Sequence, residues 1–216
     1  MAPYRPLDSN GGLKSISNVG DMLILSWNIA GFRSKTLDPG WQKCIQSFGI
    51  LCFQETWDAI GDINLEGFIH FSKLASKGSM GRAKGGLCTL VSTTIPCSLS
   101  EREVDCQNCL IIELSFPNSN TLMVINIYNP GPTDQGITLM KTLKYILGEI
   151  QNRQNILSLN MGIVVLGDFN IHLCKSYCSQ RSSLIQLGIE DWMHFEHTPY
   201  GNSFNDLLSD SGLCIV

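Results

Sequence analysis

The amino-acid pattern predicts an α/β domain whose sheet is antiparallel in part. Three observations carry that prediction. Six apolar runs of strand length are separated by polar turns, three other stretches repeat apolar residues at helical spacing, and two of the runs are joined by a hairpin-type turn.

The strand-like runs are Met22 to Trp27, Ile50 to Gln54, Gly85 to Ser92, Cys109 to Phe116, Thr121 to Tyr128 and Gly162 to Gly167. Pro-Asn-Ser-Asn links Phe116 to Thr121 and is the hairpin signal, because each of those residue types favours a turn conformation. Asp38 followed by Pro39 marks a helix start, after which Trp41, Ile45 and Phe48 recur on one face. A second helix is expected over Ile137 to Ile150, with Leu139, Leu143, Ile146, Leu147 and Ile150 inward. A third is expected over Ser203 to Ser211, stopped by Gly212 and followed by a final strand Leu213 to Val216. Residues 1–21 are poor in apolar side chains and rich in Gly, Ser, Asn and Pro, the composition of a disordered leader. The folded domain is therefore expected to be 22–216.

With 216 residues and 44% hydrophobic content, the chain can bury about 70% of its unfolded surface in one core. No run of eighteen apolar residues occurs, and the start is too polar for a secretory signal, so an intracellular protein without a membrane span is expected. The nine cysteines are an odd number in a chain too large to need disulfide staples, and reduced thiols are the natural reading. Cys106 and Cys109, with Cys174 and Cys178, imitate four zinc ligands. The first pair, however, adjoins a strand and neither spacing recurs.

A net charge of -4 argues against affinity driven mainly by phosphate neutralisation, though it leaves nuclease chemistry open. Basic residues cluster locally. Lys73, Lys77, Arg82 and Lys84 lie within an acid-free stretch, Ser72 to Ser100, that also carries Gly78, Gly81, Gly85 and Gly86. It reads either as a mobile basic loop touching a phosphate backbone, through Lys77, Arg82 and Lys84 above all, or as an ordinary solvated loop.

Four motifs fall at the ends of expected strands, where polar side chains emerge into a cleft. They are Ser26-Trp27-Asn28-Ile29-Ala30-Gly31, Gln54-Glu55-Thr56-Trp57, Asn126-Ile127-Tyr128-Asn129-Pro130 and Gly167-Asp168-Phe169-Asn170. Each alone is weak; together they supply what phosphodiester hydrolysis requires. Mg2+, or Mn2+ in its place, takes one or two carboxylates plus water and phosphate, so Glu55 suffices as principal ligand. Asp168 can orient and deprotonate a water while the Asn170 amide steadies phosphoryl oxygens. Asn28 can fix a neighbouring carboxylate without adding charge, and Tyr128 offers a phenolic donor.

At these residues the chain resembles the endonuclease/exonuclease/phosphatase superfamily. Leu51-Cys52-Phe53-Gln54-Glu55-Thr56-Trp57, Gly81-Arg82-Ala83-Lys84-Gly85-Gly86 and Ile127-Tyr128-Asn129-Pro130 are similar to the endonuclease domain of vertebrate LINE-type retrotransposons. The resemblance implies a deoxyribonuclease I-like, four-layer fold, a two-sheet β-sandwich flanked by helices. It implies Asn28, Glu55, Tyr128, Asp168 and Asn170 as site residues and DNA as substrate. It further implies a reverse transcriptase as companion domain, action in the nucleus, and a monomer.

Members of the superfamily continue to a further Asp and a terminal Ser-Asp-His. Here Ser209-Asp210-Ser211 lacks the His, and Asp206 reads as a polar helix position; His70, His172, His194 and His197 have no orienting partner at readable spacing. The expectation is a domain cut short of its C-terminal strands, poorly active and marginally stable by itself. Two rivals remain open: another phosphatase or phosphodiesterase on the same scaffold, and a non-catalytic remnant or binding module.

Overall fold

The computed structural model describes residues 22–58, 60, 61, 63–77, 83–157, 161–170 and 199–211. These form two compact units, one of residues 22–128 with 161–169 and one of 129–157 with 170 and 199–211.

The first unit holds both main sheets. Strands β1 (Ile24–Asn28), β2 (Ile50–Gln54), β3 (Phe68–Lys73) and β6 (Leu87–Ser92) make a sheet of order β1-β2-β6-β3, in which β1 and β2 are parallel and the other pairings antiparallel. Strands β7 (Ser98–Arg102), β8 (Cys109–Ser115), β9 (Thr121–Tyr128) and β10 (Met161–Asp168) make the second, ordered β10-β9-β8-β7, with β9 and β10 parallel. A short antiparallel ladder joins β4 (Ser76–Lys77) to β5 (Ala83–Lys84).

Side chains alternate across a strand, so a sheet covered on both faces needs strands that are apolar throughout. Strand β2 is such a case. Ile50 and Cys52 join Leu87 and Val91 against Leu110, Ile112, Leu114 and Val124 of the second sheet. Leu51 and Phe53 point the other way, with Cys88 and Leu90, beneath Phe32, Trp41, Ile45 and Phe48. Those last residues belong to or flank the helices α1 (Arg33–Thr36) and α2 (Pro39–Ile45). Helix α2 starts as its sequence dictates: the Asp38 carboxylate accepts from the backbone N–H of Gly40 at 2.8 Å and of Trp41 at 3.4 Å, and Pro39 fills the first turn. Under it, Phe32, Trp41 and Phe53 form an aromatic cluster with ring centroids 5.7 to 6.0 Å apart.

The second unit is helical. In α3 (Asp134–Leu157) the expected face of Leu139, Leu143, Ile146, Leu147 and Ile150 is buried. Helix α4 (Pro199–Asp210) buries Phe204 and Leu207 and leaves Asp206 exposed. It begins four residues before the expected Ser203, because Pro199 occupies a first-turn position where its missing N–H costs nothing.

The hairpin over Pro117 to Asn120 forms as expected, closed by Phe116 N–H to Asn120 C=O at 2.9 Å. Other expectations are corrected. Strands β3 and β7 were not foreseen, since both are sheet edges with largely half-exposed side chains and neither is apolar throughout. Strand β6 starts at Leu87 rather than Gly85, because Gly85 and Gly86 have φ of +73° and +89°. The acid-free stretch is no single mobile loop. Lys73 ends β3 with its Nζ 3.9 Å from the Glu101 carboxylate, residues 76–77 pair with 83–84, and 87–92 form a core strand. Lys77 lies on β4 and Lys84, exposed, on β5. Arg82, Gly78, Gly81, His172, His194, His197, Cys174, Cys178, the leader 1–21 and the expected strand Leu213 to Val216 lie outside the described residues.

Candidate active site

Parallel pairing aligns strand ends. The register sets Asn28 opposite Gln54 at the close of β1 and β2, and Asp168 opposite Tyr128 at the close of β9 and β10. In α/β sheets, ligands bind beyond the carboxyl ends of parallel strands.

At that end the two sheets are tied together. The Asn28 Nδ2 donates to Asp168 Oδ2 at 2.8 Å, while Asn28 Oδ1 accepts from the Ala30 N–H at 3.2 Å. The amide is thereby oriented with its donor toward the carboxylate, and one Asp168 oxygen is engaged. Glu55, the first residue past β2, adopts φ +55°. Its Oε2 accepts from the Trp57 indole Nε1 at 2.7 Å and from the Gly85 N–H at 3.0 Å. The Tyr128 phenol hydrogen-bonds Glu55. Burial chiefly, then that bond and the negative charges of Glu55 and Asp168, push its pKa well above the ordinary tyrosine value. The phenol therefore stays protonated and a donor. Asn28, Glu55, Tyr128 and Asp168 thus converge.

Asn170 belongs to the second unit, where its Nδ2 donates to the Asn129 carbonyl at 3.0 Å. Asn129 is itself buried, and its Oδ1 accepts from Tyr200 Oη at 2.8 Å and from the Gly131 N–H at 3.1 Å.

Beneath the convergent group lies a polar bridge between the sheets. Gln54, 1% exposed, donates from Nε2 to Asn126 Oδ1 at 2.7 Å, to the Cys52 carbonyl at 3.0 Å and to Ser26 Oγ at 3.3 Å. Asn126, 0% exposed, donates from Nδ2 to the carbonyls of Cys88 and Phe53 at 3.1 and 3.3 Å and to Thr89 Oγ1 at 3.3 Å. Neither residue carried a role in the sequence reading. The usable signal was a polar amide inside an otherwise apolar strand, which burial obliges to find partners. Trp57 was missed in the same way, as a side chain two residues past the carboxylate it holds.

Backbone strain concentrates here. Among the described residues, the non-glycine positions with positive φ are Ala30, Glu55, Trp57, Asn170 and Ser119; the first four follow strand ends at the candidate residues, and only Ser119 sits in the hairpin. Such conformations cost about 1–3 kcal/mol each and persist where surrounding structure imposes them.

Among the described residues, no three His, Cys, Asp or Glu side chains gather closely enough to cage a metal ion. The donors present are the carboxylates of Glu55 and Asp168, both near the Tyr128 phenol. An all-oxygen set with few protein ligands suits Mg2+ or Mn2+, which keep water and substrate oxygens in their shells, and does not suit a thiolate-seeking metal.

The model of the endonuclease/exonuclease/phosphatase family matches residues 25–215. Among solved structures, an AP endonuclease from Archaeoglobus fulgidus has a TM-score of 0.52 at 18% identity, covering 87% of this chain and 70% of that one. A 3′ phosphatase, NExo, from Neisseria, bound to a product DNA hairpin, gives 0.53 at 15% identity with the same coverages, 87% and 70%. A 3′-5′ exonuclease, NExo, from Neisseria meningitidis gives 0.52 at 17%, covering 86% and 70%. At these identities the likeness is one of fold: two mixed sheets flanked by helices, the deoxyribonuclease I-like arrangement expected from the motifs. No curated protein matches the chain, and among the described residues no helix is long and apolar enough to cross a membrane.

Proposed function

The chain belongs to the endonuclease/exonuclease/phosphatase family, and from that membership we propose that it hydrolyses phosphodiester bonds of DNA with a divalent cation, as the endonuclease of a LINE-type retrotransposon. The observation that carries the reading is the linkage of Asn28 to Asp168 at 2.8 Å beside a protonated Tyr128 that bonds Glu55. Two carboxylates, an amide and a phenol at the carboxyl ends of parallel strands are the groups an in-line displacement at phosphorus needs.

Roles follow from chemistry and geometry. Glu55 would hold Mg2+, or Mn2+, through an oxygen its N–H donors leave open. When bound, the cation polarises the phosphate and screens the charge that develops on it. Asn28 donates to Asp168 Oδ2 and so orients the carboxylate assigned to take a proton from water. Tyr128, kept neutral by its acidic surroundings, can turn its O–H from Glu55 to a non-bridging phosphate oxygen. The Asn170 amide is assigned a second phosphate contact on the family resemblance. Lys84, exposed on β5 beside Gly85, with Lys77 and Arg82, would meet the DNA backbone.

DNA is favoured by the retrotransposon-like wording around the motifs, and one fold relative is bound to a product DNA hairpin. A reverse transcriptase as companion domain, nuclear action and a monomeric state belong to the same reading. The test is a comparison of the chain with Glu55→Ala and Asp168→Ala. Mn2+ binding is followed by calorimetry, and cleavage is followed on supercoiled plasmid, RNA, inositol phosphate and lipid phosphodiesters. The expected result is weak Mg2+-dependent plasmid nicking, as befits a chain lacking the terminal Ser-Asp-His, that both variants lose, with Mn2+ binding lost only in Glu55→Ala. Robust nicking by either variant would sink the role assignments, and turnover of a non-nucleic substrate alone would replace DNA.

A further inference from the structure

We propose that Trp57 is a positioning residue for the metal-binding carboxylate: its indole N–H, with the Gly85 backbone N–H, occupies Glu55 Oε2 and leaves Oε1 as the oxygen offered to a divalent cation. This rests on the assignment of Glu55 as cation ligand. A carboxylate oxygen has two lone pairs, and Oε2 spends both, on Trp57 Nε1 at 2.7 Å and Gly85 N at 3.0 Å. A cation approaching Glu55 is thereby directed to the other oxygen once the Tyr128 phenol, which also hydrogen-bonds this carboxylate, turns to the phosphate, and the group cannot swing to a two-oxygen grip without breaking both Oε2 bonds.

The segment carrying these atoms is clamped from two sides. Gly31 N–H donates to the Glu55 carbonyl at 2.8 Å and Phe32 N–H to the Thr56 carbonyl at 2.9 Å. From the other side, Thr56 N–H donates to the Gly86 carbonyl at 3.2 Å and Trp57 N–H to the Gly85 carbonyl at 3.0 Å. Glu55 and Trp57 both hold left-handed backbone conformations, φ +55° and +53°. Together these place the indole back toward the carboxylate two residues earlier. Its seat depends on Gly31, where a Cβ would lie 2.7 Å from Trp57 Cε3. A tryptophan packed against a glycine, in strained backbone, with its one polar atom on a candidate ligand, is arranged for that atom.

Groups that orient a ligand from behind typically set metal affinity by 10- to 100-fold. Trp57→Phe keeps an aromatic ring against Gly31 and deletes the N–H. In the full chain, Mn2+ affinity measured by electron paramagnetic resonance should fall about 10- to 100-fold in Trp57→Phe, with little change in melting temperature without metal. Glu55→Ala should abolish binding. A second measurement needs no Trp57 variant to fold: of the four tryptophan indole N–H signals in a 15N spectrum, one should move on Mg2+ titration and also in Glu55→Gln. An unchanged Trp57→Phe affinity with binding lost in Glu55→Ala refutes the positioning role alone. So does a spectrum in which no indole signal responds to both changes. Binding that survives Glu55→Ala removes the ligand assignment and this inference with it.

Discussion

Replacing Asn126 by leucine tests whether the amide bridge between the sheets is what aligns the candidate site. Leucine has the same branched heavy-atom skeleton, somewhat bulkier, but has neither acceptor nor donor. Gln54 Nε2 would lose its 2.7 Å partner, keeping the Cys52 carbonyl and the longer Ser26 contact. The carbonyls of Phe53 and Cys88 and the Thr89 hydroxyl would lose a donor in the buried interior. An unmet buried polar group costs about 1–3 kcal/mol, and the network has more than one at stake, so about 2–4 kcal/mol is expected. At about 2–4 °C per kcal/mol for a domain of this size, the midpoint should drop by roughly 4–16 °C. Urea and thermal denaturation followed by circular dichroism read both quantities. The decisive comparison is the double variant Gln54→Leu/Asn126→Leu. Removing both partners spares the cost, counted in each single change, of one amide left facing a missing partner, so the combined loss should fall short of the sum by about 1 kcal/mol. Losses that add, or an Asn126→Leu midpoint within a degree of the parent, would show that the two amides are merely tolerated.

Two further outcomes follow from the titrating groups. Tyr128→Phe should lower plasmid nicking by about 10²-fold, the usual cost of one donor to a developing oxyanion. Because the phenol's pKa is raised, the alkaline side of the pH profile below pH 10 should keep its shape in the variant; a limb that disappears with the hydroxyl would mean Tyr128 works ionised. Burial pushes the thiols of Cys52 and Cys109 from the ordinary 9.0 up to about 12, and Cys88 higher still. The unfolded chain thus loses these protons first. The stability they lend is whole below about pH 9 and drains as pH climbs toward 12, at up to about 1.4 kcal/mol per pH unit for each thiol. Urea midpoints at pH 8, 9 and 10 should decline with that sign, less steeply in Cys52→Ala. Rapid alkylation of Cys52, Cys88 or Cys109 in the folded chain at pH 8 would contradict it.

What could be read from the amino acids and what could not divides along a physical line. Where local chemistry and burial agree, the pattern was legible: Asp38-Pro39 caps α2, Pro117 to Asn120 turns the hairpin, and the Leu139 to Ile150 stripe becomes the buried face of α3. Strands β3 and β7 were invisible because an edge strand gains its place from one neighbour's hydrogen bonds, and Phe-Ile-His-Phe-Ser-Lys or Ser-Leu-Ser-Glu-Arg is too interrupted by polar residues to announce it. The same reasoning explains the candidate site. Asn28, Glu55, Tyr128 and Asp168 are legible because each is polar at the end of an apolar run, and runs that pair in parallel bring their ends together. Their supports are of a different kind. The Gln54 to Asn126 bridge joins residues 72 positions apart, and the grip of Trp57 and Gly85 on Glu55 depends on left-handed backbone at positions that are not glycine. A contact made by tertiary pairing and strain leaves no local periodicity. The side chains that would do chemistry are therefore readable one strand at a time, whereas those that aim them are not. For that reason the strained turn after β2, more than any motif, is where substitutions should separate metal affinity from fold stability.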